Sequence, residues 1–314
     1  MNDTHCLVVL SRVKRLALAV LLAAALPASA HAAPLRIVTT TEGLAALARE
    51  VAGDRASVES LSRGIQDPHF VDANPILAVK LRQADLLVDV GLDLEVGWLP
   101  PLANQSRNAE IQPGGRRRLT AASAVSVLEV PTGPVDRSQG DIHPAGNPHF
   151  LSDPRRALQV ATALAAKVSE LDPAGAAAYA ARLADFRRRL QADEKRWLAE
   201  LAPLKGRKVV TQHQTLSYFL DWSGLAAAGY IEPKPGVPAP PSHLADLVGV
   251  VKAAGVKAIL VENYYDPKSA SVVAQHGGAQ VVTLPGDVGG TDAAKTYQAY
   301  LGELVRLVVE AERA

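Results

Sequence analysis

Short apolar runs alternate with stretches of helical periodicity along most of this chain. Leu35–Thr40 reads as a strand and Glu42–Val51 as a helix. Val58–Leu61 is a further strand, Pro75–Gln83 a helix with proline in its first turn, and Asp85–Val90 a buried strand that stops at Gly91. Leu94–Leu102 is helical in pattern and Val125–Val130 strand-like. The pattern restarts at Lys208. Val209–Thr211, Ala226–Ile231, Val256–Val261 and Gln280–Leu284 are strands by pattern, separated by helical stretches near Ser217 and at Leu244–Ala254, Pro267–Gln275 and Ala293–Glu310. Alternation of this kind predicts parallel sheets with helices on both faces. Two such series predict an α/β fold of two similar lobes.

The segment between the two series is different. Pro154–Glu170 is helical, and Leu171-Asp172-Pro173 interrupts it; Asp172 can cap a second helix with Pro173 at its first position. Tyr179, Leu183, Phe186, Leu190, Trp197 and Leu201 then recur by threes, fours and sevens, so they line one helical face. About 27 residues at 1.5 Å each span roughly 40 Å, enough to run the height of a two-lobed molecule. The expected organisation is an N-terminal lobe over 33–172, a connecting backbone helix over 173–203 and a C-terminal lobe over 204–314. An ordinary long surface helix within one domain is the alternative.

Residues 1–32 are expected to be a signal peptide. Arg12, Lys14 and Arg15 precede the apolar stretch Leu16–Leu26, and Ala-x-Ala sites follow at Ala28-Ser29-Ala30 and Ala30-His31-Ala32. About 11 apolar residues are too few to span a bilayer, which takes roughly 20. Cys6 is the only cysteine and lies upstream of that stretch, so no lipid-accepting cysteine stands at the cleavage site. A soluble, exported, periplasmic protein is expected. Without cysteine it has no disulfide and no thiolate metal site, and any metal must be held by nitrogen and oxygen. Of 33 basic and 32 acidic residues, three basic and one acidic fall within the leader, leaving a net charge near −1. That balance gives no reason to expect a nucleic-acid partner. The short run Arg116-Arg117-Arg118 reads as a solvated loop. About 280 residues beyond the leader are enough to bury a large core and to divide into two domains.

Three histidines stand out. Asp67-Pro68-His69-Phe70 recurs as Asn147-Pro148-His149-Phe150, and His213 follows the apolar run Val209-Val210-Thr211-Gln212. The prolines stiffen the turns that present His69 and His149, which lowers the entropy lost on fixing a ligand. His213 follows the first strand of the second series, where α/β sheets place ligand-binding groups. Imidazoles from separate places, converging with a carboxylate, would form a first-row transition-metal site. Asp67 is suited to orient an imidazole from behind. His143, in Asp141-Ile142-His143-Pro144, could be a ligand, but a place at the rim or behind the ligands is the favoured reading. His243 and His276 fall in helices and are read as structural or exposed.

These residues, in this order, carry a family resemblance. The chain resembles the periplasmic solute-binding proteins of zinc and manganese ABC importers, the cluster A-I metal receptors, over essentially all of its length beyond the leader. The resemblance runs through Asp67-Pro68-His69 with Pro75 and Ala84-Asp85-Leu86, then Gly91-Leu92-Asp93-Leu94-Glu95. It continues through Gly140-Asp141-Ile142-His143-Pro144-Ala145-Gly146-Asn147-Pro148-His149-Phe150 with Asp153-Pro154, and His213 with Tyr218-Phe219. It implies two lobes joined by one backbone helix, a metal in the interlobe cleft, and delivery to a membrane permease rather than catalysis. It also implies an Asp soon after the last strand, in an Asp-x-x-Gly turn. Asp287 fits through Gly290, displaced by about two residues, and is the favoured fourth ligand. Glu262, which resembles a glutamate on the late strand of the C-terminal lobe, is the substitute; one of the two could act directly and the other through water. The plain reading of Glu262 is a buried residue hydrogen-bonded to backbone. Pro113–Gly140 holds no histidine, so the His-rich loop of many zinc receptors is not expected here.

Three neutral imidazoles and a carboxylate suit tetrahedral zinc; manganese, which prefers more oxygen, is second. The expected partners are the metal ion and an ABC permease in the inner membrane, with room for a metallochaperone, and the protein is expected to be a monomer. The expected cycle is capture, closure and handover, with small tilts of the lobes and affinity that falls in acid. Two alternatives use the same residues. A zinc hydrolase would need an open metal position and a general base; no His-Glu-x-x-His motif is present and Glu262 is the only nominee. A receptor for a metal chelate or organic solute would want an aromatic or basic cleft, and aromatics are few.

Overall fold

The structure, a computed structural model, describes residues 33–133, 135, 140 and 143–313. The expected signal peptide lies outside the described residues. Two four-stranded parallel sheets organise the rest. The first contains β1 (Leu35–Thr39), β2 (Ala56–Ser60), β3 (Leu86–Asp89) and β4 (Arg118–Thr120) in the order β2-β1-β3-β4. The second contains β5 (Lys208–Thr211), β6 (Ala226–Tyr230), β7 (Ala258–Glu262) and β8 (Gln280–Leu284) in the equivalent order β6-β5-β7-β8. Ile37 faces Leu86 in one sheet and Val210 faces Ile259 in the other. In both sheets the order reverses beside the first strand, so the carboxyl ends of β1 and β3, and of β5 and β7, border a crevice.

Helices cover both faces. α1 (Glu42–Ala52), α2 (Pro75–Gln83) and α3 (Leu99–Ser106) serve the first sheet. α4 (Pro154–Leu171) closes that lobe, and Asp153 caps it by accepting from Arg155 N. α5 (Ala176–Leu201) is the linking helix; its 26 residues span about 39 Å. It buries Tyr179, Phe186, Leu190, Trp197 and Leu201, the stripe its periodicity predicts. α6 (Ser217–Ser223), α7 (Pro241–Ala254), α8 (Lys268–Gly277) and α9 (Tyr297–Arg313) complete the second lobe.

The apolar clusters explain how the lobes are tied. One cluster lies under α2 and α3 around Leu81, Leu87 and Leu102, and its counterpart under α7 and α8 around Leu247, Ile259 and Val273. The largest cluster is continuous from Ile37, Leu44 and Leu164 through Phe186 and Trp197 to Val209, Leu260 and Leu304. The two inner faces therefore share one core, with α5 and α9 running through it. Dispersion and burial across such a core resist wide opening.

Two expectations about the first lobe fail, for related reasons. Val125–Val130 is not a strand: Tyr218 Oη accepts the Leu128 N–H at 2.9 Å, and the Leu128 carbonyl accepts from Asn147 N at 2.9 Å. Its backbone groups go to the second lobe and to the His149 turn instead of a ladder. The edge position is filled by Arg118–Thr120, within the basic run read as a loop. Arg118 forks onto Asp89, Nε to Oδ1 at 2.8 Å and Nη2 to Oδ2 at 3.0 Å, and Asp89 is buried. Arg118→Ala would leave that carboxylate unpaired except for Thr120, so we expect about 3 kcal/mol of destabilisation in urea unfolding. A change below about 0.5 kcal/mol, typical of a surface position, would show that the pair is solvated.

Candidate metal centre

His69 is delivered by the turn after β2 and held by Asp67. Asp67 Oδ1 accepts from the His69 backbone N at 2.9 Å and lies 2.7 Å from ring Nδ1. The proton is therefore assigned to Nδ1, which leaves Nε2 bare and outward. Burial alone would raise the Asp67 carboxyl; the bonds and charge of His69 outweigh it and hold it below its ordinary value. Trp98 Nε1 donates to the Pro68 carbonyl at 2.9 Å and pins the turn.

His149 repeats the device with one change. Asn147 Oδ1 accepts from the His149 backbone N at 2.9 Å, while Asn147 Nδ2 donates to Glu129 Oε2 at 2.8 Å and to the Gln214 carbonyl at 2.7 Å, in the second lobe. His149 Nε2 is buried and has no hydrogen-bond partner. Burial first, then the neighbouring imidazoles, push this ring well below the ordinary histidine value, so it is neutral.

His213 ends the extended stretch after β5. Its carbonyl accepts from Thr211 Oγ1 at 2.7 Å, and its Nε2 lies 2.5 Å from Tyr265 Oη. Burial and the facing His69 lower it to about 3, against a smaller opposing pull from Asp67. Its ring centre is 6.1 Å from that of His69 and 5.8 Å from that of His149. The three sequence-predicted imidazoles thus meet, two from one lobe and one from the other.

His143 meets them too, which sequence reasoning placed at the rim. Its Nε2 is 3.2 Å from His69 Nε2, with the rings stacked at 5.3 Å. Among the described residues, the group of potential ligand atoms all within 4.8 Å of one another is His69, His143 and His149. Burial and the charge of His69 lower His143 to about 4, opposed by a bond to the Leu92 backbone. The available signal was its spacing six residues before His149; the stretch between lacks regular structure, so no periodicity says which way the ring faces.

The two carboxylates stand apart from the group. Asp287 Oδ2 accepts from Gly43 N at 2.9 Å and Oδ1 from Val288 N at 2.8 Å, so it fastens the second lobe to the first turn of α1. Burial raises it to about 6 despite those bonds. Glu262, at the end of β7, receives the Thr215 hydroxyl on Oε1, while Oε2 is buried without a partner. Burial raises it to about 7. Glu262, Asp287 and His149 line a small cavity of about 70 Å³; His69 and His143 line a larger pocket of about 500 Å³ with Phe70, Asp93 and Trp98. His243 Nε2 donates to the Tyr230 carbonyl at 2.9 Å and His276 is exposed on α8, both away from the cluster. The cluster suits a divalent transition ion: neutral, buried nitrogens and one orphaned donor, with no thiolate.

Two parallel-sheet lobes, a single linking helix and imidazoles converging at the cleft define a bridged two-lobe solute-binding protein. A family model described as zinc-uptake complex component A, periplasmic (ZnuA), matches residues 37–311, and the chain belongs to that family. It is a family of metal-binding substrate-binding proteins of ABC transporters, not of enzymes. The zinc-binding lipoprotein AdcA of Streptococcus pneumoniae is 25% identical over 253 residues, 80% of this chain and 49% of that protein, so the chain spans about half of it. The manganese ABC transporter substrate-binding lipoprotein PsaA of Streptococcus pneumoniae is 24% identical over 246 residues, 77% of this chain and 76% of that one. Among solved structures, a zinc-bound ZnuA deletion mutant is 24% identical with a TM-score of 0.74, covering 88% of this chain and 98% of its own, which shows the fold. Among the described residues no helix is long and apolar enough to cross a membrane.

Proposed function

We propose that this protein captures a divalent transition metal in the periplasm, zinc first and manganese second, and passes it to the membrane permease of an ABC importer. The observation that carries the reading is the convergence of His69 and His149 from one lobe with His213 from the other. An ion bound there ties residues 33–172 to 204–314 across the backbone helix at 173–203. The name of AdcA supports zinc and that of PsaA keeps manganese second. The leader at residues 1–32 is read as the export signal. The working unit is a monomer, since both lobes' ligands come from one chain. The larger pocket lined by His69 and His143 gives a metal donor, whether ion or metallochaperone, a face to approach. The core shared between the lobes supports small tilts rather than wide opening.

Native mass spectrometry with elemental analysis of protein purified from periplasm is expected to find one zinc per chain. Zinc supplied at about a thousandfold over its dissociation constant should stabilise the fold by about 4 kcal/mol in thermal unfolding. Manganese in place of zinc would move the assignment to the second choice. No retained metal and no stabilisation by any divalent ion would sink the capture reading.

A further inference from the structure

We propose that His143 is a metal ligand, so that the captured ion sits among four imidazoles, His69, His143, His149 and His213, and that this all-nitrogen set selects against manganese. The inference rests on the capture reading above and changes its ligand set, replacing the fourth-ligand carboxylate expected from Asp287 or Glu262.

The geometry of the facing rings carries it. His69 donates its Nδ1–H to Asp67 and so turns its Nε2 away from Asp67, toward His143. The His143 ring is hydrogen-bonded to the Leu92 backbone. The Nε2 atoms of the two rings stand 3.2 Å apart, close enough for one proton to bridge them in the metal-free protein. A cation that displaces that proton would be held by both nitrogens. Zinc–nitrogen bonds of about 2.0–2.1 Å at tetrahedral angles put neighbouring nitrogens roughly 3.3–3.4 Å apart. The observed separation is close to one edge of that tetrahedron. The orphaned Nε2 of His149 is a third vertex. His213 supplies the fourth by exchanging its bond to Tyr265 Oη for the ion.

The surroundings of His143 support a built position. Gly91, Leu92 and Asp93 have φ of 85°, 55° and 63°, three successive left-handed residues of which two carry side chains. Such backbone is costly for Leu and Asp and persists only where neighbours enforce it. The buried Glu95 does so: Oε1 accepts from Val90 N at 2.7 Å and from Thr40 Oγ1 at 2.6 Å, and Oε2 accepts from Gly91 N at 3.1 Å. A carboxylate inside the fold thus holds the turn that presents the Leu92 backbone to His143.

Asp287 is otherwise engaged. Both oxygens of Asp287 accept backbone N–H groups, one of them from α1 of the other lobe. Glu262 lines the small cavity with His149 and has its Oε1 taken by the Thr215 hydroxyl. A neutral nitrogen set suits zinc and offers manganese none of the oxygen it prefers.

The test uses the full chain loaded with zinc. X-ray absorption at the zinc edge is expected to report four imidazoles in the wild type and three in His143→Ala. His143→Ala is expected to lose about 100-fold in zinc affinity by chelator competition, with the metal-free melting curve unchanged. His143→Asp should narrow the zinc-to-manganese preference at least tenfold by supplying an oxygen. Three imidazoles plus a carboxylate oxygen in the wild type, or His143→Ala with unchanged spectrum and affinity, overturns this inference and leaves capture standing. A wild type that binds no divalent ion overturns both.

Discussion

His149→Ala is expected to lower zinc affinity by about two to three decades while leaving the metal-free protein nearly as stable as the wild type. A zinc site of about 10–16 kcal/mol shared over four ligands assigns roughly 3–4 kcal/mol to each, and 1.4 kcal/mol is a decade. The ring's stability effect on the metal-free fold is smaller because its terms oppose. Its Nε2 is buried without a partner, an unfavourable desolvation that alanine removes, while the lost ring leaves a void beside Leu151 and Thr215 at the cavity wall. The pairing of readouts is what makes the result diagnostic. Chelator competition should show the lost affinity, and thermal unfolding should show that metal no longer raises the melting temperature. A structural histidine would give the reverse, a large drop in the metal-free melting temperature with affinity kept. His243→Ala provides the control, since that ring bonds the Tyr230 carbonyl and stands away from the cluster.

How much of this was legible in the chain depends on what kind of order sets each residue. Repeating elements were: β1, β3, β5, β7, α2 and the buried stripe of α5 follow from periodicity, because burial on one face or both is written residue by residue. The turns bearing His69 and His149 were legible because Asp67-Pro68 and Asn147-Pro148 carry their own local chemistry, an Asx side chain accepting the histidine N–H. Elements set by distant partners were not. Arg118–Thr120 becomes an edge strand through Asp89, and Val125–Val130 fails to become one because Tyr218, 90 positions on, takes the Leu128 N–H. The same holds at the site. Asp287 was nominated by its Asp-x-x-Gly turn, yet its Oδ2 accepts from Gly43 N, 244 positions away. The facing of His143 is set by Leu92 in a strained turn, and no local pattern in Asp141–Pro144 announces it. Residue type and order suggested the chemistry; long-range hydrogen bonds set how the side chains face.

Acid is expected to weaken metal binding far less steeply than it would for an exposed histidine cluster. Zinc needs neutral imidazole, so each ring that must lose a proton adds one decade of affinity per pH unit. Ordinary rings would begin to compete below about pH 6.5, giving slopes of three to four. Here burial and mutual repulsion lower His143 to about 4 and His213 to about 3, with His149 well below its ordinary value. Between pH 7 and 5 those three rings have no proton to release. The logarithm of zinc affinity should therefore fall across that window by well under the roughly three to four units per pH unit of a solvated cluster. The cost of keeping the rings neutral falls on folding instead. Below about 6.5 the unfolded chain binds protons that the folded chain refuses, so stability of the metal-free protein declines as pH falls from there toward 4. Glu95 and Glu262, both raised to about 7, contribute with the opposite sign. Their folded forms hold protons that the unfolded carboxyls release above about 4.5, so their contribution is lost as pH rises through 7. Titration calorimetry with a competing chelator at pH 7, 6 and 5 measures the slope directly. A slope near three or four would mean that the rings titrate as solvated groups, and the buried, preformed nitrogen cluster would have to be abandoned.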